Sequence, residues 1–289
     1  MDKKYTIEKV KLNSKVSNNF SNVKLSLLIL PLLLLAFICA YFIFFNKESF
    51  IDGYVSVQKD LFYFLNGNLS KFPSIQHNLT ELGDVLIFFP LITIFFIYAP
   101  KLWEALITSA LLSLVVSATL KRLFAMPRPA AIFDNESFTI IGRTLSGKTA
   151  LPSGHSIATF VVIATVLFAF MPKRNVHKIL WSFFMITVGL ILAFSRVGVG
   201  AHHPLDVIVG SIIGYVVVVL GININNKLNW LGWIKNQKFA PFFIVIFTIW
   251  GGLIIKKIID KNLPIYYFSV IALAITVFLM TRMYVKRKN

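Results

Sequence analysis

SRVGVGAHHPLDVIVGSIIGYVVVVLGI, residues 195–222, decides how the rest of the chain is read. Its first half carries Arg196, two adjacent histidines, His202 and His203, and the carboxylate Asp206; from there it is apolar to Ile222. A helix of about 20 apolar residues crosses a bilayer, and the run at about 204–222 is such a span, with Pro204 suited to its first turn. Ionisable groups at the mouth of a span are costly in lipid, so they mark a site more readily than a packing interface.

Working outward, apolar runs of the same kind fall at approximately 25–45, 83–99, 102–120, 153–170, 179–195, 240–257 and 264–282. Spanning segments must be helical or form a closed barrel, because lipid cannot satisfy the backbone. Continuous apolar runs lack the alternation of barrel strands. The fold class expected is therefore all-α, a polytopic membrane bundle of about eight helices. The composition agrees: 57% of the 289 residues are hydrophobic and 14% are charged, against roughly a quarter charged in a soluble domain.

The formal net charge of +17 raises nucleic-acid binding as a class, but the distribution excludes it. The basic residues sit in the tails and in short loops, as membrane topology requires. Lys3, Lys4, Lys9, Lys11, Lys15 and Lys24 precede the first span; Lys173, Arg174 and Lys178 fill one loop; Arg282, Lys286, Arg287 and Lys288 end the chain. With eight spans these regions share a side, the cytoplasm. The loop at 121–152 is also basic yet falls outside, which fits residues retained for another purpose. Lys256, Lys257 and Lys261 fall outside with no such purpose visible in the sequence. Cys39 is the single cysteine, read as a small apolar packing residue; no Cys/His cluster offers a metal site, and no metal or cofactor is expected. Residues 46–82 mix Phe50, Tyr54, Leu61, Phe62, Phe64 and Leu65 with polar residues and fit either an interfacial helix or an ordinary loop. Asn68, Asn78 and Asn135 head glycosylation-type triplets, to which no weight attaches.

Two more groups carry chemistry. In Lys121-Arg122-Leu123-Phe124-Ala125-Met126-Pro127-Arg128-Pro129, the prolines end the helix and fold the chain back, so that Lys121 and Arg128 can converge on one anion. A basic membrane flank explains them equally. In Leu151-Pro152-Ser153-Gly154-His155-Ser156, a Ser-Gly pair opens a helix and offers free backbone N–H groups and the positive dipole end to phosphate. His155, in the first turn, can hand a proton to a leaving group; the plainer reading is a helix cap with an incidental histidine. Asp206 lies one turn after His202 and can fix its tautomer, leaving the other nitrogen free to attack. Gly198 and Gly200 allow the backbone to approach a ligand. The loops 121–152 and 196–203 face one side, so all three groups can meet.

Lys-x6-Arg-Pro, Pro-Ser-Gly-His and Ser-Arg-x5-His-x3-Asp, in that order, resemble the type 2 phosphatidic acid phosphatase superfamily of integral membrane lipid phosphatases. The resemblance covers about 83–222. It divides the chain into a cytoplasmic polar tail (1–22), a membrane phosphatase core (23–222) and an added C-terminal hairpin with a basic tail (223–289). It implies a metal-independent phosphatase in which His202 is the nucleophile, Asp206 orients it, and His155 protonates the leaving oxygen. Lys121, Arg128 and Arg196 would neutralise the phosphate, with Ser153 and the Gly154 N–H adding hydrogen bonds. His203 is the rival nucleophile; the spacing favours His202. Arg143 and Lys148, in the motif-bearing loop, are possible headgroup contacts or merely solvated charge. The implied partner is a lipid phosphate: phosphatidylglycerol phosphate, phosphatidic acid, a polyprenyl diphosphate or the phosphates of lipid A. A lipid phosphotransferase would use the same histidine. A vanadate-dependent haloperoxidase shares the motifs but is soluble, and a transporter or channel would not need a phosphate cradle. The uncleaved spans fit a bacterial plasma membrane, with the site on the periplasmic or outer side.

Overall fold

The computed structural model describes residues 3–44 and 49–288; residues 1, 2, 45–48 and 289, which include the start of the 46–82 segment, lie outside the described part. The described chain is helical, without strands. Helix α1 (Lys3–Ser21) is followed by a 3-10 turn (Leu25–Leu28) and α2 (Ile29–Phe44), then α3 (Phe50–Leu69) and α4 (Pro73–Glu81). The apolar run expected as a span at 83–99 is not one helix but two, α5 (Val85–Leu91) and α6 (Ile94–Tyr98). Pro90 lies inside α5 and leaves Leu86 O to Trp250 Nε1; just after it, Ile92 N and Thr93 N turn to Phe89 O and Pro90 O, three residues back, and the α-helix is interrupted. Next come α7 (Pro100–Phe124), α8 (Gly154–Ala169), α9 (Asn175–Gly198), α10 (Pro204–Leu228), α11 (Ala240–Lys261) and α12 (Pro264–Lys288). Six segments among the described residues are long and apolar enough to cross a membrane; α8, at 16 residues, is shorter.

The bundle has two ends. At one, α1 lies beneath the bundle with Val16 and Phe20 fully buried. Its Asn19 donates to Ala169 O and Met171 O at the end of α8, and Asn13 accepts from Lys101 N at the start of α7. Asn226, near the end of α10, donates to Phe20 O. At the other end lie the last turns of α7, α9 and α11 and the first turns of α8 and α10. The α5–α6 pair runs between the two ends despite its break.

Helices α8 and α10 cross closely because Gly210 and Gly214 lack side chains. A Cβ on Gly210 would sit 2.7 Å from Ser153 O, and one on Gly214 would sit 2.6 Å from Phe160 Cβ. Small residues at such a crossing let backbones approach where no hydrophobic force drives helices together. The same packing brings the starts of both helices side by side: Ser153 N donates to Asp206 O at 3.0 Å.

Helix α2 is largely unburied. Cys39 on it is exposed, so it does not pack inside as expected; it lies on a face turned away from the protein interior. The 46–82 segment, where described, forms α3 and α4, which wall the site end. Asn66 of α3 is buried and ties α3 to the loop and to the end of α9. It donates to Thr139 O and Val197 O at 2.9 and 3.0 Å and accepts from Thr139 N.

Candidate active site

Helix α7 ends at Ala125, whose φ of 42° is left-handed and closes the last turn on Lys121 O. Met126 to Arg128 then pair with the returning loop: Arg128 N donates to Gly147 O, and Ala150 N to Met126 O, both at 2.9 Å. The prolines thus fold the chain back, and both cations face the start of α8. Lys121 Nζ lies 3.2 Å from where a Cβ of Gly154 would be.

Arg128 is held by Ala201 O, which accepts from Nη1 at 3.1 Å, and its Nη1 also lies 3.2 Å from His202 Nε2. A guanidinium only donates, so Nε2 must accept. The proton of His202 then belongs on Nδ1, which faces Asp206 Oδ2 at 3.4 Å. This is the tautomer that leaves Nε2 unprotonated, its lone pair turned to the Arg128 guanidinium. Burial pushes the His202 imidazole down from 6.5 to about 3, with Asp206 opposing and Arg128 assisting; a neutral ring is what a nucleophile needs.

Asp206 is fully buried and satisfied by three donors. Oδ2 takes the His203 N–H at 2.9 Å besides His202, and Oδ1 takes the Tyr54 hydroxyl at 2.8 Å. His203 also sets its ring beside the carboxylate, with Nδ1 3.4 Å from Asp206 Oδ2. It precedes α10 as its N-cap and packs against Phe62 and Phe133, ring centroids 5.7 Å away in each case. Between the two histidines, only His202 has its free nitrogen beside a site cation.

Ser153 is the N-cap of α8: its oxygen accepts from Ser156 N and Ser156 Oγ at 3.3 and 2.9 Å. Its role in the geometry is to form the helix start that presents Gly154 and His155. His155 lies within electrostatic reach of Arg196, His202, Arg128 and Lys121. Arg196 is buried, with Nη1 bonded to Thr80 Oγ1 at 2.6 Å and Nε without a protein partner. A buried donor left open in this way is costly unless a ligand fills it.

The named residues Lys121, Arg128, His155, Arg196, His202 and Asp206 therefore meet at one end of the bundle, with Ser153 and Gly154 in their midst. Arg143 and Lys148 do not join them as built contacts; both are exposed on the loop between Ile132 and Thr149. The close approaches that Gly198 and Gly200 make in this structure are to other parts of the protein. A Cβ on Gly198 would strike Gln76 Oε1 at 2.6 Å and one on Gly200 would strike Thr139 O at 2.7 Å, so they seat the α9–α10 turn against α4 and the loop. Sequence reasoning missed Tyr54 and Thr80. Neither belongs to a spaced motif, although Tyr54 lay in a segment already marked as amphipathic.

A curated undecaprenyl-diphosphatase from Sulfolobus acidocaldarius is 25% identical over 171 residues, covering 58% of this chain and 78% of that protein. The crystal structure of Aquifex aeolicus LpxE aligns with a TM-score of 0.48 at 23% identity, over 58% of this chain and 95% of that one. The model of the PAP2 superfamily matches residues 101–230 of this polytopic membrane chain, which hold the whole set from Lys121 to Asp206.

Proposed function

We propose that this lipid phosphatase removes phosphate from a lipid monoester or diphosphate through a phosphohistidine on His202, at the outer face of a plasma membrane of bacterial type. The observation that carries the reading is the relay Arg128–His202–Asp206, in which Nε2 is unprotonated and beside a cation while Nδ1 is turned to a buried carboxylate.

In the first step Nε2 attacks phosphorus and the bond to the lipid oxygen breaks; His155 gives that oxygen its proton. Asp206 stabilises the positive charge that grows on the imidazole. Lys121, Arg128 and Arg196, with the N–H groups opening α8, neutralise the phosphoryl oxygens. In the second step water attacks the phosphohistidine, His155 takes a proton from it, and phosphate leaves. Phosphoryl transfer asks the protein mainly for positioning and charge stabilisation, and three cations and a helix N-terminus supply both. Among lipid phosphates, the relative from Sulfolobus acidocaldarius favours a polyprenyl diphosphate. The outer placement is supported by the basic α1, the 172–178 loop and the C-terminal end lying opposite the site.

The test is phosphate release by detergent-purified protein from a polyprenyl diphosphate, phosphatidylglycerol phosphate, phosphatidic acid and lipid A, with His202→Ala alongside. Release lost in the variant is expected, fastest from the polyprenyl diphosphate. Equal release by His202→Ala refutes the nucleophile.

A further inference from the structure

The family match leaves the α11–α12 hairpin outside its range, yet the hairpin is built onto the wall of the site. Lys257 Nζ, near the end of α11, bonds Asp84 Oδ2 at 2.6 Å and Glu81 Oε2 at 3.2 Å; Lys261 Nζ bonds Glu81 Oε1 at 3.0 Å. Further contacts continue down the same stretch. Asn78 Oδ1 accepts from Ile265 N, Leu86 O from Trp250 Nε1, and Ile87 O from Ser269 Oγ, at 3.2, 2.9 and 2.8 Å. The hydroxyls of Thr93 and Thr276 lie 2.9 Å apart. The hairpin thus holds residues 78–93 from one side.

The opposite side of that stretch touches the reaction machinery. Thr80 Oγ1 accepts from Arg196 Nη1 at 2.6 Å. Gly83 stands directly behind His155, since a Cβ there would lie 2.8 Å from His155 Cβ and 3.1 Å from Cδ2. The link itself is weakly self-supporting: Leu82 to Asp84 join a helix of nine residues to one of seven that contains a proline. Its two carboxylates, Glu81 and Asp84, sit close enough to share Lys257.

We infer that the α11–α12 hairpin is a positioning element of the active site: Lys257 and Lys261 fix the Glu81–Asp84 link, and that link sets Arg196 through Thr80 and His155 through Gly83. None of these residues reaches the phosphate. The inference rests on the roles given above to Arg196 and His155. The ion pairs are of the kind that can hold a backbone in place. The Glu81 and Lys257 side chains are only 12% and 27% exposed, so the pair is less screened than one in open water. Burial alone would raise the Glu81 carboxyl, but hydrogen bonding and the charges of the two lysines hold it below its usual value. Removing Lys257 leaves Asp84 without its cation and Glu81 with Lys261 alone among the paired lysines, and the link relaxes.

The experiment uses the full-length protein and measures kcat, KM and melting temperature for Lys257→Ala, Lys257→Arg, Thr80→Val and the double variant Lys257→Ala/Thr80→Val. Small displacements of a positioned group cost up to about a hundredfold. A loss of about tenfold in kcat with KM nearly unchanged is expected for each alanine or valine variant, with recovery in Lys257→Arg. Because both changes act through one contact, the double variant should fall little below either single one, rather than by the product of about a hundredfold. Multiplying effects, or a lowered melting temperature with kcat intact, overturn the inference. If Lys257→Ala does not fold, Lys261→Ala takes its place, with the same non-additivity expected. If wild-type protein releases no phosphate, the reading of function fails by itself. The coupling is then read by orthovanadate binding, where weakening of about tenfold in Lys257→Ala sustains it and unchanged binding overturns it.

Discussion

Replacing Asp206 by asparagine separates the two roles proposed for its carboxylate. The charge disappears, but the hydrogen-bond pattern decides how the new amide turns. The His203 N–H points at Oδ2 from 2.9 Å and requires an oxygen there. The amide nitrogen then falls at Oδ1, opposite the Tyr54 hydroxyl, which can accept as well as donate. His202 Nδ1 keeps an acceptor and Nε2 stays free, so the tautomer survives. What is lost is the attraction between a carboxylate and the imidazole charge. For unit charges at the 3.4 Å separation this is about 5 kcal/mol at an effective dielectric of about 20. With roughly half a charge developed at the transition state, the loss is about 2.5 kcal/mol, between tenfold and a hundredfold in kcat. Asp206→Ala removes the acceptor too and should fall about tenfold further. The assay is steady-state phosphate release at saturating lipid for wild type and both variants. Asparagine and alanine variants of equal activity would refute the tautomer argument; an asparagine variant with more than about a third of wild-type kcat would refute the charge argument.

Tyr54→Phe leaves the buried Oδ1 of Asp206 without its donor, which costs about 1.5–3 kcal/mol for a charged acceptor; a lower melting temperature together with reduced kcat is expected, and unchanged values in both would show that the bond does nothing. His203→Ala should lower thermal stability by losing its ring contacts yet retain more than about a tenth of kcat, since the Asp206 bond comes from its backbone, whereas radiolabelled lipid phosphate should give no phosphohistidine in His202→Ala. The folded-state value of His202 is depressed, so its neutral form stabilises the fold fully above about 6.5, and that contribution is lost as pH falls from 6.5 towards 3, by up to about 1.4 kcal/mol per pH unit. Melting curves at pH 8 and pH 5 should show this drop, and it should be smaller in His202→Gln.

The sequence made legible what is periodic or spaced. The apolar runs located the crossing segments, and the Lys121–Arg128, Ser153–His155 and Arg196–Asp206 groups lie at one end because their loops share a side. Contacts between distant, unspaced residues were not legible. Tyr54 is 152 positions from Asp206 and Thr80 is 116 from Arg196, and a single tyrosine or threonine on an amphipathic helix carries no pattern. Lys257 and Lys261 looked misplaced by the charge rule because their carboxylates lie more than 170 positions away. The docked α1 had a readable signal, Leu12, Val16 and Phe20 on one helical stripe, outweighed by the polar residues around it. The break at Pro90 was readable too, since a proline inside an apolar run interrupts the helical bonding.

Helix α8 has 16 residues, about 24 Å at the helical rise, whereas the hydrocarbon layer is about 30 Å thick. Its far end is tied to Asn19 of α1; with that end at one boundary of the layer, the shortfall falls on the end bearing Gly154 and His155. The proposed reaction would then take place below the plane of the surrounding headgroups, about one helical turn down. A lipid phosphate reaches it only by sinking, or where the bilayer itself is drawn thin. On the proposed reading, phosphate release is expected to vary with the acyl-chain length of the host bilayer, a control on rate that no side chain in the site supplies.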